Sequence, residues 1–139
     1  SRKSTFFGGT DTPIAHIDFT LPYAQNMRER LLNAAAACGE TVIDGAVYAC
    51  TQGPRLETAA EIERIARDGG DLVGMTGMPE ASLAREADLD YAALAVVVNP
   101  AAGRGESREA IALETLETVL NETIKRAVRV LEAAVQQSA

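Results

Sequence analysis

Residues 41–76 read TVIDGAVYACTQGPRLETAAEIERIARDGGDLVGMT, and this stretch decides the fold. From Thr41 to Cys50 the chain is rich in β-forming residues, which predicts one bent strand or two short ones, with Gly45 at the bend. Thr58-Ala59-Ala60-Glu61 has the pattern of a capping box, in which hydroxyl and carboxylate each satisfy the other residue's backbone N–H. A helix therefore starts just after Gly53-Pro54-Arg55-Leu56-Glu57, runs to about Asp68 and ends at Gly69-Gly70. Asp71–Thr76 then reads as a buried strand.

Outward from this unit the same alternation continues. Upstream, residues from about Tyr23 to Cys38 have helical periodicity. Met27, Leu31, Leu32 and Ala35 lie on one side, Arg28, Glu29 and Arg30 on the other, and Gly39 is a stop. Before it come a turn-rich arm through Phe6-Phe7-Gly8-Gly9 and a short apolar segment, Ile14–Phe19. Downstream, Pro79 opens a short helix through Glu86, and Tyr91–Asn99 is apolar throughout, as a strand covered on both faces would be. From about Ser107, apolar residues recur every three or four positions and predict one long amphipathic helix. That helix is expected to pack along the sheet through Leu116, Leu120, Ile124 and Leu131. Strands alternating with helices imply an α/β fold, a largely parallel or mixed β-sheet flanked by helices, in a single domain over residues 1–139.

A net charge of −7, with 13 basic residues scattered along the chain, argues against a nucleic-acid surface. No apolar run reaches the roughly 20 residues of a membrane span. Cys38, Cys50 and the single histidine, His16, have no metal-ligand spacing, so no metal site is expected and a reduced cytoplasmic setting is the default.

In α/β sheets, ligands collect where strands end and loops begin. Three such ends carry candidate residues: Thr51–Glu57, Gly74–Glu80 and Asn99–Gly103. Each also has a plain structural reading. Glu57 fits a solvated acid near a helix N-terminus, Met75 a core gap-filler and Asn99 a turn former.

Taken together, Gly-Pro-Arg-Leu-Glu-Thr at 53–58, Val-Gly-Met-Thr-Gly-Met-Pro-Glu at 73–80 and Val-Val-Asn at 97–99 resemble the purine nucleoside phosphorylase and methylthioadenosine phosphorylase family. The nearest branch is the bacterial one acting on S-methyl-5′-thioinosine. The resemblance implies a nucleoside phosphorylase-like fold, of which this chain matches the C-terminal portion, and a pentosyltransferase activity. Phosphate attacks C1′ of a 6-oxopurine nucleoside and the purine leaves, giving hypoxanthine and 5-methylthioribose 1-phosphate in the methylthio case. Such chemistry needs no cofactor, only inorganic phosphate as co-substrate, and groups that stabilise charge on the leaving base.

By the same resemblance, Asn99 contacts N7 and the 6-substituent of the purine, and Glu57 accepts the N1 proton of a 6-oxopurine. Donor and acceptor both match that edge of the base. Leu56 flanks the base, Met75 lies against the ribose and Thr76 hydrogen-bonds phosphate. Pro100 and Ala101 follow Asn99 on the substrate side, although Pro100 replaces an aromatic residue of the nearest branch, which bears on base stacking. Leu113 and Leu116 line the 5′ end of the sugar, where an apolar pair suits a methylthio group; core packing is the plain alternative. His16 reaches the neighbouring subunit's pocket in a homotrimer. The family's Gly-rich first loop and Arg-His phosphate segment have no counterpart here, so a fragment of a longer enzyme is expected. Rival readings are a general purine nucleoside or methylthioadenosine phosphorylase, a hydrolytic nucleosidase, and a non-catalytic nucleoside-binding or oligomerisation fragment.

Overall fold

A computed structural model describes residues 4–8 and 13–137; the side chains of residues 113–115 are outside that description. The elements are α1 (Gln25–Ala37), β1 (Tyr48–Cys50), α2 (Ala59–Arg67), β2 (Leu72–Gly74), α3 (Glu80–Glu86) and α4 (Leu113–Gln136), with a 3₁₀ turn at Gly105–Ser107. β1 and β2 pair in parallel, with Tyr48 opposite Leu72, Ala49 opposite Val73 and Cys50 opposite Gly74. α2 is the crossover between them, so β1, α2 and β2 form a βαβ unit.

The helix signals act as the residues dictate. Thr58 and Glu61 form the expected capping box: the Glu61 N–H donates to the Thr58 hydroxyl at 3.2 Å and the Thr58 N–H to the Glu61 carboxylate at 2.8 Å. Gly39, at φ 73°, ends α1. Its N–H bonds to Ala36 O while the Glu40 N–H bonds to Ala35 O, which satisfies the carbonyls of the last turn.

The core lies between α1 and α4. Ala34 and Ala35 are fully buried against Val130 and Ala134, and these small side chains let the two helices approach closely. Polar contacts reinforce the pair. Arg30 Nε donates to Ala134 O at 2.8 Å, and Glu40 accepts from both Arg126 and Arg129. The N-terminal arm docks on α3, where the Ser82 hydroxyl lies 3.1 Å from Ser4 O and the Phe6 N–H donates to Glu86 at 2.7 Å.

Four expectations need correction. α4 packs on α1 rather than along the sheet, and Leu120, Ile124 and Leu131 are 40–48% exposed in the chain, while Leu116 is half-buried. Residues 91–99 form no strand among the described residues. A strand exists through its ladder partners; here Tyr91 O accepts from the Ala24 N–H, and Val97 stays 61% exposed. In residues 41–50 only Tyr48–Cys50 pairs, and α4 begins at Leu113 after the 3₁₀ turn instead of running from Ser107.

Candidate functional site

The loops after β1 and β2 leave the same, C-terminal end of the parallel pair, the position where open α/β sheets collect ligands. The Thr51 N–H donates to Gly74 O at 2.8 Å, extending the ladder by one residue beyond Cys50. The Thr51 side chain then turns to Glu57: its hydroxyl donates to Glu57 Oε1 at 2.6 Å, and both residues are half-buried. The chain between them folds back tightly because residue 53 is glycine. Gly53 sits at φ 62°, and a Cβ there would lie 2.4 Å from Met75 Sδ. Met75 therefore packs directly over the first loop and joins it to the second.

Arg55 fixes the other side of this loop. Its guanidinium grips Glu61 with two parallel bonds, Nη1 to Oε2 at 2.8 Å and Nη2 to Oε1 at 2.7 Å. That guanidinium, followed by the N–H and hydroxyl of Thr58, holds the Glu61 carboxyl well below the usual carboxylate range. Glu61 in turn raises the Arg55 pKa.

A third loop closes over the start of α2. Arg104 bonds Glu63 at 2.6 Å, and Gly103, at φ 79°, lies so near Ala59 that a Cβ would come within 2.7 Å of the Ala59 Cβ. Between this loop and residues 56–59 lies an open cleft of about 380 Å³, whose walls include Leu56, Glu57, Ser107, Arg108, Glu109 and Ile111.

Of the predicted site residues, the structure brings Leu56 and Glu57 together on this cleft and sets Met75 against Gly53 in the adjoining loop. Thr76 is exposed, with its N–H directed to the Tyr48 hydroxyl at 3.3 Å. Asn99 is half-buried and turned to its own neighbour: its side-chain amide donates to Pro100 O at 2.7 Å, so it is not joined to Glu57. Pro100 is exposed and Ala101 half-buried. His16 is exposed on a separate cleft of about 610 Å³, beside Phe7, Ile14, Ile17 and Glu86. Leu116 is half-buried on α4, and the Leu113 side chain lies outside the described residues.

Sequence reasoning placed Thr51 in a candidate strand-end segment without giving it a role of its own, and it did not single out Arg108. Thr51 had a usable signal, a hydroxyl at a strand end six residues before a candidate acid. For Arg108 no motif stood out, and only the fold of the third loop brings it to the cleft.

A family model, "Phosphorylase superfamily", matches residues 2–136. A "Probable S-methyl-5'-thioinosine phosphorylase" of Pseudomonas syringae is 55% identical over 121 residues, covering 87% of this chain and 48% of that protein. A "Probable 6-oxopurine nucleoside phosphorylase" of Moorella thermoacetica is 50% identical over 103 residues, covering 74% of this chain and 40% of its own length. The chain thus spans about half the length of the curated relatives it matches. Among solved structures, methylthioadenosine phosphorylase from Schistosoma mansoni in complex with adenine superposes with a TM-score of 0.90 at 25% identity, over 99% of this chain and 55% of that one. No helix among the described residues is long and apolar enough to cross a membrane. With the α/β unit, its strand-end loops and the match along nearly its whole length, this chain belongs to the phosphorylase superfamily.

Proposed function

We propose that this chain forms the base- and sugar-binding part of an enzyme that cleaves 6-oxopurine nucleosides with phosphate, S-methyl-5′-thioinosine being the preferred substrate. Phosphate oxygen bonds to C1′, the N-glycosidic bond breaks, and its electron pair leaves with the purine. The products are hypoxanthine and 5-methylthioribose 1-phosphate. Negative charge accumulates on the base in the transition state, so groups holding its edge act most strongly there.

The observation that supports this reading best is Glu57: a carboxylate on a cleft wall, at the C-terminal end of a parallel strand pair, with one oxygen already hydrogen-bonded. Such a group accepts the N1–H of a 6-oxopurine and finds no proton on N1 of a 6-amino base. Asn99 donates to O6 and N7 once its amide leaves Pro100 O, with Pro100 and Ala101 beside it. Leu56 flanks the base, Met75 the ribose and Leu113 with Leu116 the methylthio group. Thr76 contacts phosphate. No organic cofactor or metal enters the reaction. The enzyme works as a cytoplasmic homotrimer, in which His16 contributes to a neighbouring subunit's site.

Asn99→Asp combined with Glu57→Ser reverses the hydrogen-bond pattern at the 6-position, each mismatch being worth about 1–3 kcal/mol. The expected outcome is a fall in kcat/KM for the 6-oxopurine nucleoside and a rise for its 6-amino counterpart. An unchanged ratio would remove both residues from base recognition.

A further inference from the structure

We infer that Thr51 is a positioning residue for Glu57 and thereby a determinant of 6-oxopurine selectivity; this rests on the reading of Glu57 as the acceptor for purine N1–H. Three observations lead there. The Thr51 backbone is anchored, since its N–H continues the β1–β2 ladder onto Gly74 O at 2.8 Å. A threonine hydroxyl has a single proton. Of its two acceptors, Glu57 Oε1 at 2.6 Å is much nearer than Gly74 O at 3.4 Å, so the proton goes to the carboxylate. The length is that of a charge-assisted O–H···O⁻ bond.

The consequence is a division of labour between the two carboxylate oxygens. Oε1 is held by Thr51, while Oε2 bonds to no other described residue and stays available to the ligand. A glutamate on an exposed loop otherwise spreads over several rotamers, and a misplaced acceptor loses the transition-state contact it exists to make. Arg55, the nearby cation, is occupied by Glu61 in a bidentate pair, which leaves the hydroxyl as the hydrogen-bond donor to Glu57 among the described residues. Valine matches threonine in shape but lacks the proton; serine keeps it.

The test is steady-state kinetics of the intact enzyme with S-methyl-5′-thioinosine and with methylthioadenosine, whose N1 has no proton to give. Thr51→Val is expected to lower kcat/KM for the thioinosine about 10- to 100-fold, the range for a lost hydrogen bond to a charged group. Methylthioadenosine use should stay within about threefold, Thr51→Ser should restore the thioinosine value, and Thr51→Val should add no further loss in a Glu57→Ala background, where the side-chain acceptor is gone. Should valine disturb the strand end, Thr51→Ala against Thr51→Ser gives the same comparison. Equal loss with both nucleosides, no loss with either, or failure of serine to rescue overturns the Thr51 role. A changed ratio in Glu57→Gln without one in Thr51→Val overturns that role alone. No change in Glu57→Gln overturns the base reading, and the Thr51 role falls with it.

Discussion

Gly53 is the residue at which backbone and site are most tightly coupled. Any side chain there meets both a left-handed φ of 62° and the Met75 sulfur, 2.4 Å from where a Cβ would stand. The left-handed conformation alone costs a non-glycine residue about 1–2 kcal/mol, and Met75 must move as well. Gly53→Ala should therefore lower the melting temperature and raise KM for the nucleoside; thermal melts and steady-state kinetics check the two effects separately. Glu61 offers a second residue-scale test. Its folded pKa is depressed below the ordinary 4.5 by Arg55 first and Thr58 second. The stability it contributes is thus complete above that ordinary value and is lost as pH falls through the depressed one. Wild type and Glu61→Gln should differ most in denaturant midpoint near neutral pH and converge in acid. Thr58 and Glu61 were readable beforehand because a capping box has fixed spacing. Glu57 and Met75 stood out as candidates because their motifs match a family. The Thr51 contact was not, since a hydroxyl and a carboxylate six residues apart meet only when the intervening loop doubles back.

At the scale of elements, α4 shows what periodicity leaves open. Its apolar residues form two neighbouring stripes, one through Leu116, Ala127, Val130 and Ala134, the other through Leu120, Ile124, Val128, Leu131 and Val135. The second repeats every three or four residues without a break while the first skips from Leu116 to Ala127, so spacing and size both favour the leucine stripe. The structure instead buries Val130 and Ala134, because Ala34 and Ala35 on α1 present a flat surface that small side chains match. Val130, 2% exposed, should cost about 1.5–3 kcal/mol of stability when cut to alanine. Val135, 69% exposed, should tolerate serine within about 0.5 kcal/mol in this chain. Urea denaturation of both variants checks the assignment, and a reversed order would restore the leucine stripe. The βαβ unit was legible because caps, glycines and apolar runs agree over residues 41–76. The segment 91–99 was not, because an apolar run records that a segment is covered without naming what covers it.

At the scale of the whole molecule, the class and the family were legible and the extent of the site was not. One chain about half the length of its relatives holds the strand ends, the first-loop carboxylate and the methionine over Gly53. Asn99 stands apart from Glu57, bonded to Pro100, so base recognition as proposed needs a change at Asn99 when ligand arrives. A hydrolytic nucleosidase would use water in place of phosphate. The most direct measurement is therefore release of free purine by the intact enzyme from S-methyl-5′-thioinosine, inosine and methylthioadenosine, each with and without inorganic phosphate. The account predicts phosphate-dependent release of hypoxanthine, fastest from S-methyl-5′-thioinosine and slower from inosine, with adenine released from methylthioadenosine more slowly than hypoxanthine from S-methyl-5′-thioinosine. Release without phosphate, or preference for methylthioadenosine, would contradict it.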